Sequence, residues 1–213
     1  MTRERDNSSA TIAGYVLAGG ESTRFGKDKA LADVSGKPML VRMCELLRSV
    51  VNEVTVIADP EKYAGLGFRC VADCWPAAGP LGGIITALED AGARNESPEW
   101  NLIVSCDMPF LTREWLAHLA GRALKSSSQV ALPESAHGPE PLCACYRTDA
   151  APALRAAFER RIRKITDALK QVTTEVLDEA HWKRFDSAGR LFWNMNTLTD
   201  YEEARRILEA EQK

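Results

Sequence analysis

The chain has 213 residues, 45% of them hydrophobic and 27% charged, with a formal net charge of −3. That length encloses a substantial core, and the slightly acidic balance lacks the basic surplus of a dedicated nucleic-acid or membrane-surface binder. No apolar run approaches the ~20 residues of a membrane span, and the opening MTRERDNSSA lacks the apolar stretch of a signal peptide, so a cytoplasmic protein is expected.

Residues 1–10 read as a flexible lead-in, and IAGYVLAGG (12–20) as a buried strand. PMLVRMCELLRSV (38–50) reads as a helix with proline near its start, followed by strands in EVTVIAD (53–59) and RCVAD (69–73). GPLGGIITALEDAG (79–92) opens on glycines and becomes helical. WNLIVSCDMP (100–109) is a central strand stopped at Asp107 and Pro109, and Thr112 caps the next helix. QVALPES and EPLCACYR are two strands joined by a loop with His137 and Gly138. A long helix is predicted after Asp149, because Leu154, Phe158, Ile162, Ile165 and Leu169 share one face, opposite a basic face. TTEVL and LFWNMN are predicted strands, and a final helix is predicted from Thr199, with Glu202 completing a capping box. The alternation predicts an α/β fold: three-layer and Rossmann-like, a mainly parallel sheet with helices on both faces. No linker or repeat interrupts it, so 11–213 is expected to be a single domain.

Cys44, Cys70, Cys74, Cys106, Cys143 and Cys145 are expected to be reduced, buried thiols. The C-x3-C and C-x-C spacings fit structural zinc poorly.

VLAGGESTRFGKDKAL (16–31) leaves the first strand through three glycines and places Arg24, Lys27 and Lys29 just beyond. In an open α/β sheet, ligands bind past the carboxyl ends of strands. Glycine lets backbone N–H groups approach an anion, and nearby cations add charge there. The expected ligand is a polyphosphate. The loop is not a Walker-type loop, because Asp28 follows Lys27, and it lacks the G-x-G-x-x-G register.

With these residues in view, LAGGESTRFGKDKAL resembles the signature loop of nucleotidyltransferases with the nucleotide-diphospho-sugar transferase fold. It is most similar to that of the molybdenum cofactor guanylyltransferases. DCWPAAGPLGGI (73–84), CDMPFL (106–111), EPLCACY (140–146) and WNMNTLTDYEEA (193–204) resemble further motifs of that family, in the same order.

The resemblance implies that Asp107 binds Mg2+, as its place at a strand end also favours. It implies that Leu17, Ala18, Gly19 and Gly20 contact the nucleotide through backbone, that Lys29 contacts it directly, and that Asp73 lies by it. Whether Asp73 meets the guanine edge or the ribose stays open. Gly79, Gly82 and Gly83 are expected to let the base lie close, Arg24 and Lys29 to hold phosphate oxygens, and Asn194 and Asn196 to face the acceptor. The asparagine the family carries near the nucleotide is missing from Ile57, Ala58 and Asp59.

The implied reaction transfers GMP from GTP to the terminal phosphate of the molybdenum–molybdopterin cofactor. The expected partners are GTP, that cofactor and a molybdoenzyme or cofactor-biosynthesis protein, with neither nucleic acid nor membrane. The alternatives are a cytidylyltransferase for the same cofactor, which Gly19 disfavours, and a non-catalytic adaptor that delivers it.

Overall fold

The structure is a computed structural model that describes residues 11–19, 28–76 and 78–211. The expected lead-in 1–10 lies outside the described residues. Seven strands form the main sheet: β1 (Ile12–Leu17), β2 (Val54–Ile57), β3 (Arg69–Val71), β4 (Trp100–Ser105), β5 (Val130–Ser135), β6 (Cys143–Arg147) and β7 (Thr174–Leu177). Their spatial order is β3-β2-β1-β4-β6-β5-β7, with the short Gly138–Pro139 strand folded back on β5. β6 runs antiparallel to both its neighbours, and every other pair among these seven strands is parallel. The expectation of a mainly parallel sheet holds.

Double-sided burial explains the near-continuous apolar runs of β1, β2 and β4. Successive side chains alternate between two cores. Val16, Val56, Leu102, Val104, Cys143 and Cys145 face one, and Tyr15, Leu17, Ile57, Ile103, Ala144 and Tyr146 face the other. Helices α1 (Met39–Arg48), α3 (Arg113–Ala123) and α5 (Leu198–Glu211) cover the first core; α2 (Pro80–Gly92) and α4 (Ala151–Glu159) cover the second. On α1 the buried stripe is Met39, Leu40, Met43, Cys44 and Leu47, each large side chain contributing about 1.5–3 kcal/mol on full burial. β1 admits the end of this layer because Gly14 has no side chain: a Cβ there would stand 2.8 Å from Val51 Cγ2 and 3.0 Å from Leu47 Cδ2. Among the described residues no helix is long and apolar enough to cross a membrane.

Four expectations need correction. The long helix after Asp149 is broken: α4 ends at Glu159, and Arg161 takes a left-handed φ of 67°. Arg161 N–H donates to Phe158 O, and Ile162 N–H to Ala157 O, the paired bonds of a Schellman stop. A short helix, Ile165–Ala168, then resumes on the same core, so the apolar face persists although the helix does not. LFWNMN is no strand; it runs past the sheet end, where Met195 N–H donates to Asp107 O at 2.9 Å. The final capping box is Thr197 with Asp200: Asp200 N–H donates to Thr197 Oγ1, and Thr197 N–H to Asp200 Oδ2. Finally, Cys44, Cys106, Cys143 and Cys145 are buried as expected, but Cys74 is exposed and Cys70 half-buried. Among the described residues no three His, Cys, Asp or Glu gather as metal ligands.

A polar cluster ties α2 to β1 and β3. Arg69 grips Asp90 through both guanidinium NH groups (2.7 and 2.6 Å), Tyr15 Oη donates to Asp90 Oδ2 (2.8 Å), and Arg94 joins at 3.1 Å. Burial opposes ionisation of Asp90, but the hydrogen bonds from Arg69, Tyr15 and Arg94 outweigh it and bring the carboxyl down to about 2. A depressed carboxyl stabilises the fold above its unfolded pKa, and that contribution disappears as pH falls through the folded value. Asp90 therefore contributes about 2 kcal/mol at neutral pH. The advantage of wild type over Asp90→Asn in urea unfolding should shrink as pH falls from about 4 towards 2; a constant gap would contradict the assignment.

Candidate active site

The chain order reverses at β1, which pairs with β2 on one side and β4 on the other. Leu17 stands opposite both Ile57 and Ser105, at the shared carboxyl ends. Such a switch point opens a crevice for a ligand. Ala18 N–H donates to Ile57 O, and Cys106 N–H to Leu17 O, which holds the exits of β1 and β4 side by side. Leu17 and Ala18 are buried, whereas Gly19 is exposed and an added Cβ would meet nothing within 4 Å. Among the described residues, packing does not require this glycine. Gly20, Arg24 and Lys27 lie outside the described residues.

The chain re-enters at Asp28, the N-cap of the 3-10 turn Lys29–Leu31. The Asp28 carboxylate accepts from Ala30 N–H (3.0 Å), Tyr63 Oη (2.7 Å) and Lys62 Nζ (2.8 Å). Burial works to raise its pKa, but these donors prevail and hold the carboxyl below its usual range. With Ala30 buried beside it, the turn aims Lys29 at the crevice. Lys29 Nζ donates to Asn196 Oδ1 at 3.2 Å and lies 3.7 Å from Asp107 Oδ2.

Asp107 lies in the turn that follows β4, one residue beyond Cys106. Ser105 Oγ donates to its Oδ1 at 2.6 Å, which fixes the carboxylate and leaves Oδ2 towards Lys29. The Asp107 backbone is held by Met195, and buried Met108 and Leu111 anchor the residues beyond. Phe110 stacks on Trp193 with centroids 5.3 Å apart and planes 3° from parallel. This packing carries Asn194 and Asn196 to the same rim. They do not share one strand face: Asn194 Nδ2 turns back to Phe192 O (3.2 Å), and only Asn196 meets Lys29. Both line a cleft of about 910 Å³ that runs towards the β5–β6 hairpin.

The second glycine loop flanks the end of β1 from the other face. The Cβ position of Gly83 lies 3.5 Å from the Leu17 side chain, so the first turn of α2 rests on the strand's exit. Gly79 takes a φ of 77°, which only glycine adopts freely. Asp73 Oδ1 accepts from Trp75 N–H (2.9 Å) and Thr86 Oγ1 (3.0 Å), bonds that shape the loop itself. A Cβ on Gly82 would come within 2.9 Å of Trp75 Cβ, so packing against Trp75 suffices to explain that glycine. Neither residue bonds to Lys29, Asp107 or Asn196. Asp59, last of the three positions from which the family's asparagine is missing, caps the short helix Pro60–Tyr63 by accepting from Glu61 N–H.

Three positions escaped the sequence reading: Asp28 as anchor, Ser105 as the group orienting Asp107, and the Met195 backbone. Ser105 was within reach, because two residues apart on a strand means the same face. The Met195 contact joins residues far apart in sequence and carries no local signal.

The donor set suits a hard cation. Asp107 offers a half-open carboxylate, and Asn196 an amide oxygen beside it. Mg2+ is usually held by one or two carboxylates with phosphate and water completing the shell. The residues present fit that arrangement.

Residues 14–173 match the family model described as the MobA-like NTP transferase domain. A Deinococcus radiodurans protein named as a probable molybdenum cofactor guanylyltransferase is 38% identical over 197 residues, covering 90% of this chain and 93% of its own. The molybdenum cofactor guanylyltransferase of Desulfosudis oleivorans is 29% identical over 201 residues, covering 93% and 96%. The solved molybdopterin-guanine dinucleotide biosynthesis protein A of Archaeoglobus fulgidus superposes with a TM-score of 0.77 at 25% identity, covering 93% of this chain and 99% of that one.

Proposed function

The chain belongs to the MobA-like NTP transferase family and is a nucleotidyltransferase, and from that premise we propose that it transfers GMP from GTP to the terminal phosphate of molybdenum–molybdopterin, releasing pyrophosphate. The observation that carries this reading is the meeting of Lys29, Asp107 and Asn196 at the exit of β1. A delivery adaptor needs no such pairing of a cation and an acid at a strand exit.

An ionised phosphate oxygen of the acceptor forms a new bond to the α-phosphorus of GTP. The bond from that phosphorus to the bridging oxygen breaks, and pyrophosphate leaves with the electron pair. The acceptor is already anionic near neutral pH, so no protein nucleophile is required. Alignment and charge neutralisation are then the protein's contribution. The backbone of Leu17, Ala18, Gly19 and Gly20 would cradle the nucleotide, with Asp73 and Gly82 towards the base or ribose. Lys29 and Arg24 would offset negative charge on the departing pyrophosphate. Asp107 would hold Mg2+, which when bound neutralises phosphate oxygens. Asn194 and Asn196 would face the acceptor. The setting is the cytoplasm, as a single domain, with the product passed to a molybdoenzyme or cofactor-biosynthesis protein.

Guanine is assigned because the named relatives are guanylyltransferases. Calorimetric titration with GTP, CTP, ATP and UTP in the presence of Mg2+ should show GTP tightest, and equal affinity for all four would remove that assignment. Pyrophosphate release should require GTP and molybdenum–molybdopterin together. Tight GTP binding without release would favour the adaptor.

A further inference from the structure

The cleft beside Asn196 is walled by Trp182, Phe192 and Trp193 and closed by the β5–β6 hairpin. Its carboxylates are mostly committed to the chain. Asp178 accepts from Ala180 N–H, Asp186 from Arg190 and Leu191 N–H, and Asp200 from Asn196 and Thr197 N–H. Glu179 pairs with Lys183 at 2.9 Å, and Glu134 is exposed.

Glu140 differs. Its backbone is fixed on both sides: Glu140 N–H donates to Pro133 O (2.9 Å), and Cys143 N–H to Glu140 O (3.1 Å). Its side chain is half-buried, and Ser135 Oγ donates to Oε1 at 2.7 Å. Among the described residues neither lysine nor arginine forms an ion pair with it. Burial raises its carboxyl above the usual range, against the pull of Ser135 and His137. The carboxylate has one protein donor, on Oε1, and among the described residues its second oxygen has none, which leaves that oxygen free to accept from a ligand in the cleft. Its position is also informative. Ser105 N–H donates to Leu142 O at 2.8 Å, so the residues preceding β6 emerge at the same sheet end as Asp107.

A pterin carries a ring N–H next to an exocyclic amine, two parallel donors that match the two oxygens of one carboxylate. We propose that Glu140 is a specificity-determining residue that reads this amino-pyrimidinone edge of the acceptor, while the aromatic walls of the cleft flank the planar ring. Ser135 is its positioning residue. The inference rests on the reading that the acceptor is a pterin-bearing phosphate.

The test uses the full chain and Glu140→Gln, which keeps volume and the Ser135 contact but replaces one acceptor atom with a donor. The KM for molybdenum–molybdopterin should rise by ~10-fold or more, with kcat within a few-fold, because a donor-reading site that loses its acceptor discriminates strongly. GTP affinity should be unchanged, which also shows that the variant is folded. Wild type should prefer pterin to lumazine, whose amine is replaced by oxygen, and Glu140→Gln should lose that preference; Ser135→Ala should fall between. An unchanged KM in Glu140→Gln, or equal wild-type affinity for pterin and lumazine, overturns the inference. If wild type itself releases no pyrophosphate with this acceptor, the functional reading fails instead.

Discussion

Asp107→Ala should lower the rate of pyrophosphate release from GTP and acceptor by about 10²–10³, or ~3–4 kcal/mol of barrier, the usual cost of removing one preorganised charge-stabilising group. The fold should survive, because the tie to the C-terminal segment uses the Asp107 carbonyl, and among the described residues the side chain hydrogen-bonds only to Ser105 and faces Lys29. Asp107→Asn sharpens the test. It keeps an oxygen for Ser105 but removes the charge, so it should be nearly as slow as Ala if charge at Oδ2 matters. Steady-state turnover across a Mg2+ titration is the measurement. Undiminished turnover in either variant would strip Asp107 of its role.

Lys29→Met should raise the KM for GTP and lower kcat together, costing ~10²-fold or more in kcat/KM by the same reasoning about preorganised charge. Methionine retains much of the buried stem while deleting the ammonium, which separates packing from charge. The loss has two parts. The triphosphate loses a point cation, and Asn196 loses the donor at 3.2 Å that fixes its amide. Lys29→Arg should rescue only partly, because a planar fork cannot occupy the position of a compact ammonium between two oxygens. Calorimetry with GTP and steady-state kinetics read both parts. Equal GTP affinity and rate in wild type and Lys29→Met would put the positive charge of the site elsewhere.

The sheet was legible because β1, β2 and β4 are buried on both faces and carry the apolar runs that such burial demands. Lys29 and Asp107 were legible as a pair because strand exits at a switch point converge whatever loops follow. The break after Glu159 was not legible: Arg161 occupies the left-handed conformation where glycine is the usual marker, and the apolar spacing continues across the stop. Asn194 and Asn196 were misread as strand neighbours because alternation alone cannot show that the segment lies beyond the sheet, anchored by a buried Met195. Glu140 stood inside a quoted motif, but its shortage of partners is a tertiary property.

The active end of the molecule is assembled from distant parts of the polypeptide. The Lys29–Asn196 bond spans 167 residues, and Tyr201 Oη donates to Asp33 O across 168. A growing chain therefore cannot bring Lys29 and Asn196 together until residues near 200 have been made. Proteolytic nicking between Asp186 and Thr197 should likewise lower turnover before it unravels the sheet, because none of the seven strands lies in that segment.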